Sequence, residues 1–151
     1  MPLETGEPVP PVTATNQDGE RITVEFEAPT VLYFYPRDDT PGCTTEANQF
    51  DAELDAYREA GVRVYGVSTD DADSHREFAK DQGLGFDLLA DPDGKVADAF
   101  GVDTSGGAAE RTTFVCAGGQ ACGLYEGVRP DGHAREVLRD VLDMGLASLE
   151  E

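Results

Sequence analysis

The run Val31-Leu32-Tyr33-Phe34-Tyr35 is apolar at five successive positions and stops at Pro36. A strand with one wet face alternates apolar and polar residues. A strand without alternation is covered on both faces, the position of a central strand between two layers. From Thr44 to Ala60 the apolar residues Ala47, Phe50, Leu54 and Tyr57 recur at steps of three and four, which predicts an amphipathic helix closed by Gly61. Val62 to Ser68 reads as a second buried strand. Strand, helix and strand in this order make a right-handed crossover with parallel pairing, so the chain is committed to an α/β fold.

The remaining segments extend that pattern. Between Val12 and Val24 two β-prone runs flank Asn16-Gln17-Asp18-Gly19, a hairpin signal that predicts a small antiparallel ribbon at the start. Thr69 and Asp70 are placed to cap a helix running to about Gln82. Phe86 to Leu89 follows as a short strand, Asp91-Pro92-Asp93-Gly94 as a turn, and Lys95 to Phe100 as a short helix. After the small-residue loop 103–109, Arg111 to Cys116 and Ala121 to Glu126 read as two strands joined by Gly118-Gly119. Asp131 is placed to cap a last helix whose apolar stripe is Val137, Val141, Leu142 and Leu146. The order is βαβ, then ββα, preceded by an extra ribbon. At 151 residues the chain has the length of one compact domain, expected to span 1–151.

Thirty-one acidic residues against eleven basic ones give a formal charge of -20. Coulomb repulsion then opposes encounters with nucleic acid or an anionic membrane. The acids are spread along the chain, as in a general solvation device, and the composition resembles that of proteins from salt-loving organisms. In concentrated salt the Debye length shrinks to ~3 Å or less and such self-repulsion is screened. No apolar stretch approaches the ~18 residues that cross a bilayer, and the start lacks a basic segment followed by an apolar run. The expected location is the cytoplasm. Three cysteines, an odd number, argue against a disulfide-stapled scaffold.

The segment that carries chemistry is Tyr35-Pro36-Arg37-Asp38-Asp39-Thr40-Pro41-Gly42-Cys43-Thr44-Thr45-Glu46. Thr40 suits a helix N-cap and Pro41 the first helical position, which places Gly42 and Cys43 in the first turn, where backbone N–H groups lack partners. A thiolate is favoured there. The site also lies beyond the carboxyl end of a parallel strand, where open α/β sheets bind ligands.

This segment resembles the active-site stretch of the peroxiredoxin family, in particular its PrxQ or bacterioferritin-comigratory-protein class. Pro36-x-x-x-Thr40-x-x-Cys43 matches the family pattern. Further matches follow in order at Gly66-Val67-Ser68, Ser74-His75-x-x-Phe78, Leu88-Leu89-Ala90-Asp91, Phe100-Gly101-Val102, Arg111-Thr112-Thr113-Phe114 and Pro130-Asp131-Gly132-His133-Ala134. The resemblance implies a thioredoxin-like fold with an N-terminal β-hairpin extension and no cofactor. It implies that Cys43 attacks a hydroperoxide, that the Thr40 hydroxyl and the amides of Gly42 and Cys43 bind it, and that Arg111 stabilises the developing charge. Pro36 would shape the loop and shield the sulfur. It further implies a thioredoxin-like protein or a small-molecule thiol as reductant, and a monomer.

The strand pairing supports one of these expectations independently. A strand starting at Arg111 and antiparallel to Val31-Tyr35 brings Arg111 beside the end of that strand, within reach of Cys43. A surface ion pair is the alternative for Arg111. Glu46 and Arg37 stand between a local ion pair and a role in the pocket. His75 reads as a helix-packing residue rather than a base, and His133 as part of a cap. Two scattered histidines do not make a metal site.

One departure from the class concerns the second cysteine. Many members carry a resolving cysteine five residues after the first, where this chain has Asn48, or in the following helix, where it has none. Cys116 and Cys122 remain. If Arg111 faces the pocket, Cys116 faces away and lies ~16 Å further along its strand, whereas bridged Cα atoms come within ~7 Å. Inert packing, a bond between Cys116 and Cys122 and a secondary redox pair are all open, and the preferred mechanism is one-cysteine turnover. Two rivals use the same fold. A thiol-disulfide oxidoreductase would want Cys-x-x-Cys, but position 46 is Glu; a non-enzymatic peroxide sensor would use Cys43 without turning over.

Overall fold

The computed structural model describes residues 3–144. Seven strands, β1 (Val12–Asn16), β2 (Arg21–Val24), β3 (Thr30–Phe34), β4 (Arg63–Ser68), β5 (Asp87–Ala90), β6 (Thr112–Ala117) and β7 (Gln120–Glu126), form one sheet in the order β2-β1-β5-β4-β3-β6-β7. β3, β4 and β5 run parallel, while β6 and β7 on one side and β1 and β2 on the other are antiparallel. This is the α/β sheet that the sequence pattern predicts, in the thioredoxin-like arrangement that the resemblance implies, and the N-terminal ribbon joins the sheet through β1 beside β5.

The unbroken apolar run of β3 is explained by its central place. Val31, Tyr33 and Tyr35 enter a core under α1 (Pro41–Ala52), α2 (Leu54–Glu59), α3 (Ala72–Gln82) and α5 (His133–Asp143). Leu32 and Phe34 enter a second core on the opposite face, with α4 (Lys95–Phe100), the ribbon and Phe26. Each of the five β3 residues is at most 2% exposed. At ~25 cal/mol per Å² of apolar surface, burying one such large side chain contributes roughly 2 kcal/mol.

Four local expectations are corrected. The single helix expected through Ala60 breaks at Glu53, whose φ of -96° and ψ of 3° leave the helical region, so α1 and α2 are separate elements. α3 is capped not by Thr69 or Asp70 but by Asp71, whose side chain accepts from the Ser74 N–H at 2.8 Å. Asp131 does not cap α5. Gly132 holds the N-cap position, and Asp131 instead accepts a hydrogen bond from Gln49 on α1 at 2.7 Å. Tertiary contact has taken the carboxylate that local propensity would have spent on the helix end. The short strand expected from Phe86 begins one residue later, at Asp87. Leu146 lies outside the described residues.

The hairpin tip at Gly118-Gly119 needs glycine at both positions. Their φ values of 60° and 76° are the left-handed pair of a tight hairpin turn, and this turn is held by the carbonyls of Glu27 and Phe26 at 2.9 Å each. It lies at the end of the sheet opposite Cys43, since Cys116 pairs with Thr30 whereas Thr112 pairs with Phe34.

Candidate active site

Parallel pairing continues one residue past β3, with the Tyr35 N–H donating to the Val67 carbonyl at 3.0 Å. Half-buried Pro36 then opens the loop that carries the chain to α1. Asp39 takes a left-handed φ of 60°, and Thr40 is extended at the N-cap. The Thr40 hydroxyl donates back to the Arg37 carbonyl at 3.0 Å instead of capping the helix. Pro41 opens α1, and Thr44 is the first residue whose N–H reaches back, to the Thr40 carbonyl at 2.8 Å. By the geometry of a helix start, the amides of Gly42 and Cys43 have no intrahelical acceptor. Cys43 sits among them, 1% exposed.

Arg111 immediately precedes β6, and the Phe34–Thr112 register sets it alongside Tyr35. Its guanidinium spans two groups on α1: Nη1 donates to Glu46 Oε1 at 2.7 Å and Nη2 to Cys43 Sγ at 3.5 Å. The surface ion pair is thus not what the fold makes of Arg111, because Glu46 is fully buried and Arg111 largely so. Gly42 has a steric reason. A Cβ there would lie 3.1 Å from Arg111 Nη2 and 3.5 Å from Pro130 Cγ, in the passage the guanidinium takes to the sulfur.

Burial and the guanidinium act on Glu46 in opposite directions. Burial is the larger, and it pushes the Glu46 carboxyl up to about 7 although Arg111 pulls it down. For Arg111 burial opposes the charge, but Glu46 and the Cys43 sulfur more than compensate and hold it protonated. Glu46 Oε2 and the hydroxyl of Tyr33 are buried without a protein partner. The Tyr33 ring is fixed by stacking on Phe50 at 4.5 Å, and burial together with the charges of Glu46 and Cys43 keeps its hydroxyl protonated.

The other expected residues are dispersed. Arg37 is exposed and, among the described residues, has no ion-pair partner. Asn48 is exposed and bonds to Gln82 on α3 at 3.0 Å. Cys116 is fully buried in the core of the opposite face, where burial pushes its thiol up to about 12. Cys122 packs against the core on the Cys43 side of the sheet, so the two hairpin cysteines face opposite ways. All three cysteines are free.

Both histidines differ from expectation. His133 opens α5 rather than serving in a cap; it is buried, its Nε2 lies 2.8 Å from Thr113 Oγ1, and burial lowers its pKa. His75 does more than pack. It is fully buried, with Nδ1 2.7 Å from Asp38 Oδ2 and Nε2 3.1 Å from the Leu89 carbonyl. The same Asp38 accepts from the hydroxyls of Tyr35 at 2.6 Å and Ser74 at 2.7 Å. Sequence reasoning passes over Asp38 although it lies two residues before Thr40. The available signal is the Ser74-His75 pair, polar residues beginning a helix that must cover the sheet.

A buried cysteine at the first turn of a helix after a central parallel strand, with a guanidinium from the neighbouring antiparallel strand on its sulfur, defines a thiol-based site on a thioredoxin-like scaffold. The chain belongs to the AhpC/TSA family, whose model matches residues 5–119. Similar proteins include a chloroplastic peroxiredoxin Q of Triticum aestivum, 46% identical over 112 residues that cover 71% of this chain. This chain spans only 52% of that relative's length. A peroxiredoxin bcp of Coxiella burnetii is 35% identical over 148 residues, covering 91% of this chain and 98% of the relative. The solved bacterioferritin comigratory protein of Xanthomonas campestris, studied for its alkyl peroxide reduction activity, superposes with a TM-score of 0.82 at 34% identity, covering 88% of this chain and 91% of that one.

Proposed function

We propose that the chain is a thiol-dependent peroxidase acting on hydrogen peroxide and organic hydroperoxides, with Cys43 as nucleophile. The observation that carries this is the 3.5 Å approach of Arg111 Nη2 to Cys43 Sγ beside the open amides of the first turn of α1. A cation and the open N–H groups of a helix start gather around the sulfur, and the same donors face charge developing on the peroxide oxygens. The alkyl peroxide reduction of the Xanthomonas campestris relative supports the substrate class.

In the first step the sulfur forms a bond to one peroxide oxygen, the O–O bond breaks, and the other oxygen leaves as alcohol or water after taking a proton. Cys43 becomes a sulfenic acid. Thr40 and the amides of Gly42 and Cys43 orient the peroxide, Arg111 stabilises the departing oxygen, and Glu46 fixes Arg111. Pro36 limits access to the sulfur. A thiol then condenses with the sulfenic acid, releasing water and leaving a mixed disulfide, and a second thiol restores Cys43. That thiol comes from a thioredoxin-like protein or a small molecule. One-cysteine turnover is supported by Cys116 and Cys122: they lie at the far end of the sheet, and they face opposite sides, which disfavours a bond between them.

The oxidoreductase rival is disfavoured because position 46, where its second thiol would stand, is a buried Glu committed to Arg111. We take the protein to work as a cytoplasmic monomer; three free thiols suit a reducing compartment. The charge of -20 suits high ionic strength. The deciding measurement is peroxide consumption with a thiol donor by the parent and by the Cys116→Ala/Cys122→Ser double variant. Equal turnover supports the one-cysteine cycle. Single turnover in the double variant would show that one of these cysteines resolves, and a parent that consumes no peroxide would remove the peroxidase reading.

A further inference from the structure

The polar cluster behind the active-site loop has no part in the chemistry above, and its hydrogen bonds tie that loop to the sheet and to α3. The Leu89 carbonyl can only accept, so His75 Nε2, 3.1 Å away, carries a proton. Nδ1 faces Asp38 Oδ2 at 2.7 Å. Asp38 already accepts from Tyr35 and Ser74; burial raises its pKa, but His75, Tyr35 and Ser74 together outweigh burial and hold the carboxyl below its ordinary range. Fully buried His75 and nearly buried Asp38 are thus tied to each other and to three further groups, Tyr35, Ser74 and the Leu89 carbonyl.

Four elements around the sulfur's loop meet in this cluster. Tyr35 comes from the end of β3, Ser68 and Asp70 from the end of β4, the Leu89 carbonyl from β5, and Ser74 and His75 from α3. Asp70 Oδ2 accepts from the Ser68 hydroxyl at 2.9 Å and from the Asp38 N–H at 2.7 Å, so the loop is held by backbone as well as side chain. Asp38, Asp70 and His75 bring ligand-type atoms within 4.8 Å of one another, the spacing of a metal site. Internal donors already occupy these oxygens. A Ser-His-Asp hydrolase is also disfavoured, since both ring nitrogens are engaged in the interior and Ser74 bonds to the carboxylate rather than to the imidazole.

We propose that buried His75 and Asp38 are positioning residues for Cys43, a latch that sets loop 36–40 and thereby the first turn of α1. The strained residue next to Asp38 shows what the latch must hold: Asp39 keeps a φ of 60°, a conformation a non-glycine residue maintains only where its neighbours fix it. One residue further, Thr40 sets the start of α1, and Cys43 follows on its first turn. A loop that relaxes at Asp38 therefore shifts the amides, the threonine and the sulfur relative to Arg111, which is anchored separately on β6. This inference rests on the peroxidase reading.

Two measurements test it. In Asp38→Asn, the rate of Cys43 with hydrogen peroxide is expected to fall by about tenfold or more, since peroxide attack depends on alignment. Alkylation of Cys43 by iodoacetamide, which needs the thiolate but not the aligned site, is expected to stay within about twofold. Should Asp38→Asn fail to fold, Ser74→Ala removes one bond to the carboxylate and is expected to show a smaller drop with the same selectivity. Peroxide reactivity at the parent rate in the folded variants overturns the proposal, as does equal loss of both reactions. A parent inert to peroxide would instead strike the peroxidase reading.

Discussion

Cys43 and Cys116 are equally hidden from water, at 1% and 0% exposure, yet they occupy opposite chemical worlds. Around Cys43 converge a helix start, a guanidinium and a buried carboxylate. Cys116 belongs to the apolar core that also holds Leu32 and Phe114, and burial without a counter-charge pushes its thiol up to about 12. Burial alone makes a thiol inert. The same burial beside prearranged donors concentrates their effect, because the local dielectric is low and no water competes. The two ends of one antiparallel strand pair, β3 with β6, thus hold a sulfur beside a cation and a sulfur without one.

The comparison breaks most sharply on removal of the sulfur itself: Cys43→Ser is expected to reduce thiol-dependent peroxide consumption to background, while Cys116→Ala retains the parent rate in the same assay. Next in size is Arg111→Met, which leaves the sulfur but withdraws its cation. Stopped-flow measurement of the peroxide step should show a loss of roughly a hundredfold or more. Gly42→Ala tests the close approach, since its Cβ would meet Arg111 Nη2 at 3.1 Å. The flexible guanidinium has to give way, and a drop of about tenfold in the same step is expected from the misalignment.

Glu46 sharpens the comparison through pH. Its carboxyl titrates at about 7 in the fold against an ordinary 4.5, so folding favours the protonated form. The stability this contributes is fully present below pH 4.5 and is lost as pH rises through about 7. In Glu46→Gln that decline should be absent, a difference of up to about 3 kcal/mol between parent and variant across this window. Urea midpoints at pH 4.5 and 8 read it, and parallel slopes in both proteins would show that burial does not dominate at Glu46. The smallest effect belongs to the end without a cation: Cys116→Ala is expected to cost about 1 kcal/mol in the same unfolding assay, through lost packing alone.

Much of this contrast is legible in the amino-acid sequence. The non-alternating run of β3 requires a strand buried on both sides. Thr40-Pro41 marks where α1 begins, and alternation along β6 puts Arg111 and Cys116 on opposite sides. These are local rules, and each operates within a few residues. Where a local rule fails, a distant partner has intervened: Gln49 claims Asp131 from the cap of α5, and Asp38 claims His75 from a packing role.

The sequence by itself determined the elements, their order and the position of the thiol at a helix start, because hydrophobic period, proline and capping chemistry act between neighbours in the chain. The tertiary structure alone decided which titratable groups share a buried space: Arg111 with Glu46 from 65 residues away, and His75 with Asp38 from 37. Pairs of this kind depend on a few ångströms of placement in a low dielectric, and no local pattern encodes that distance.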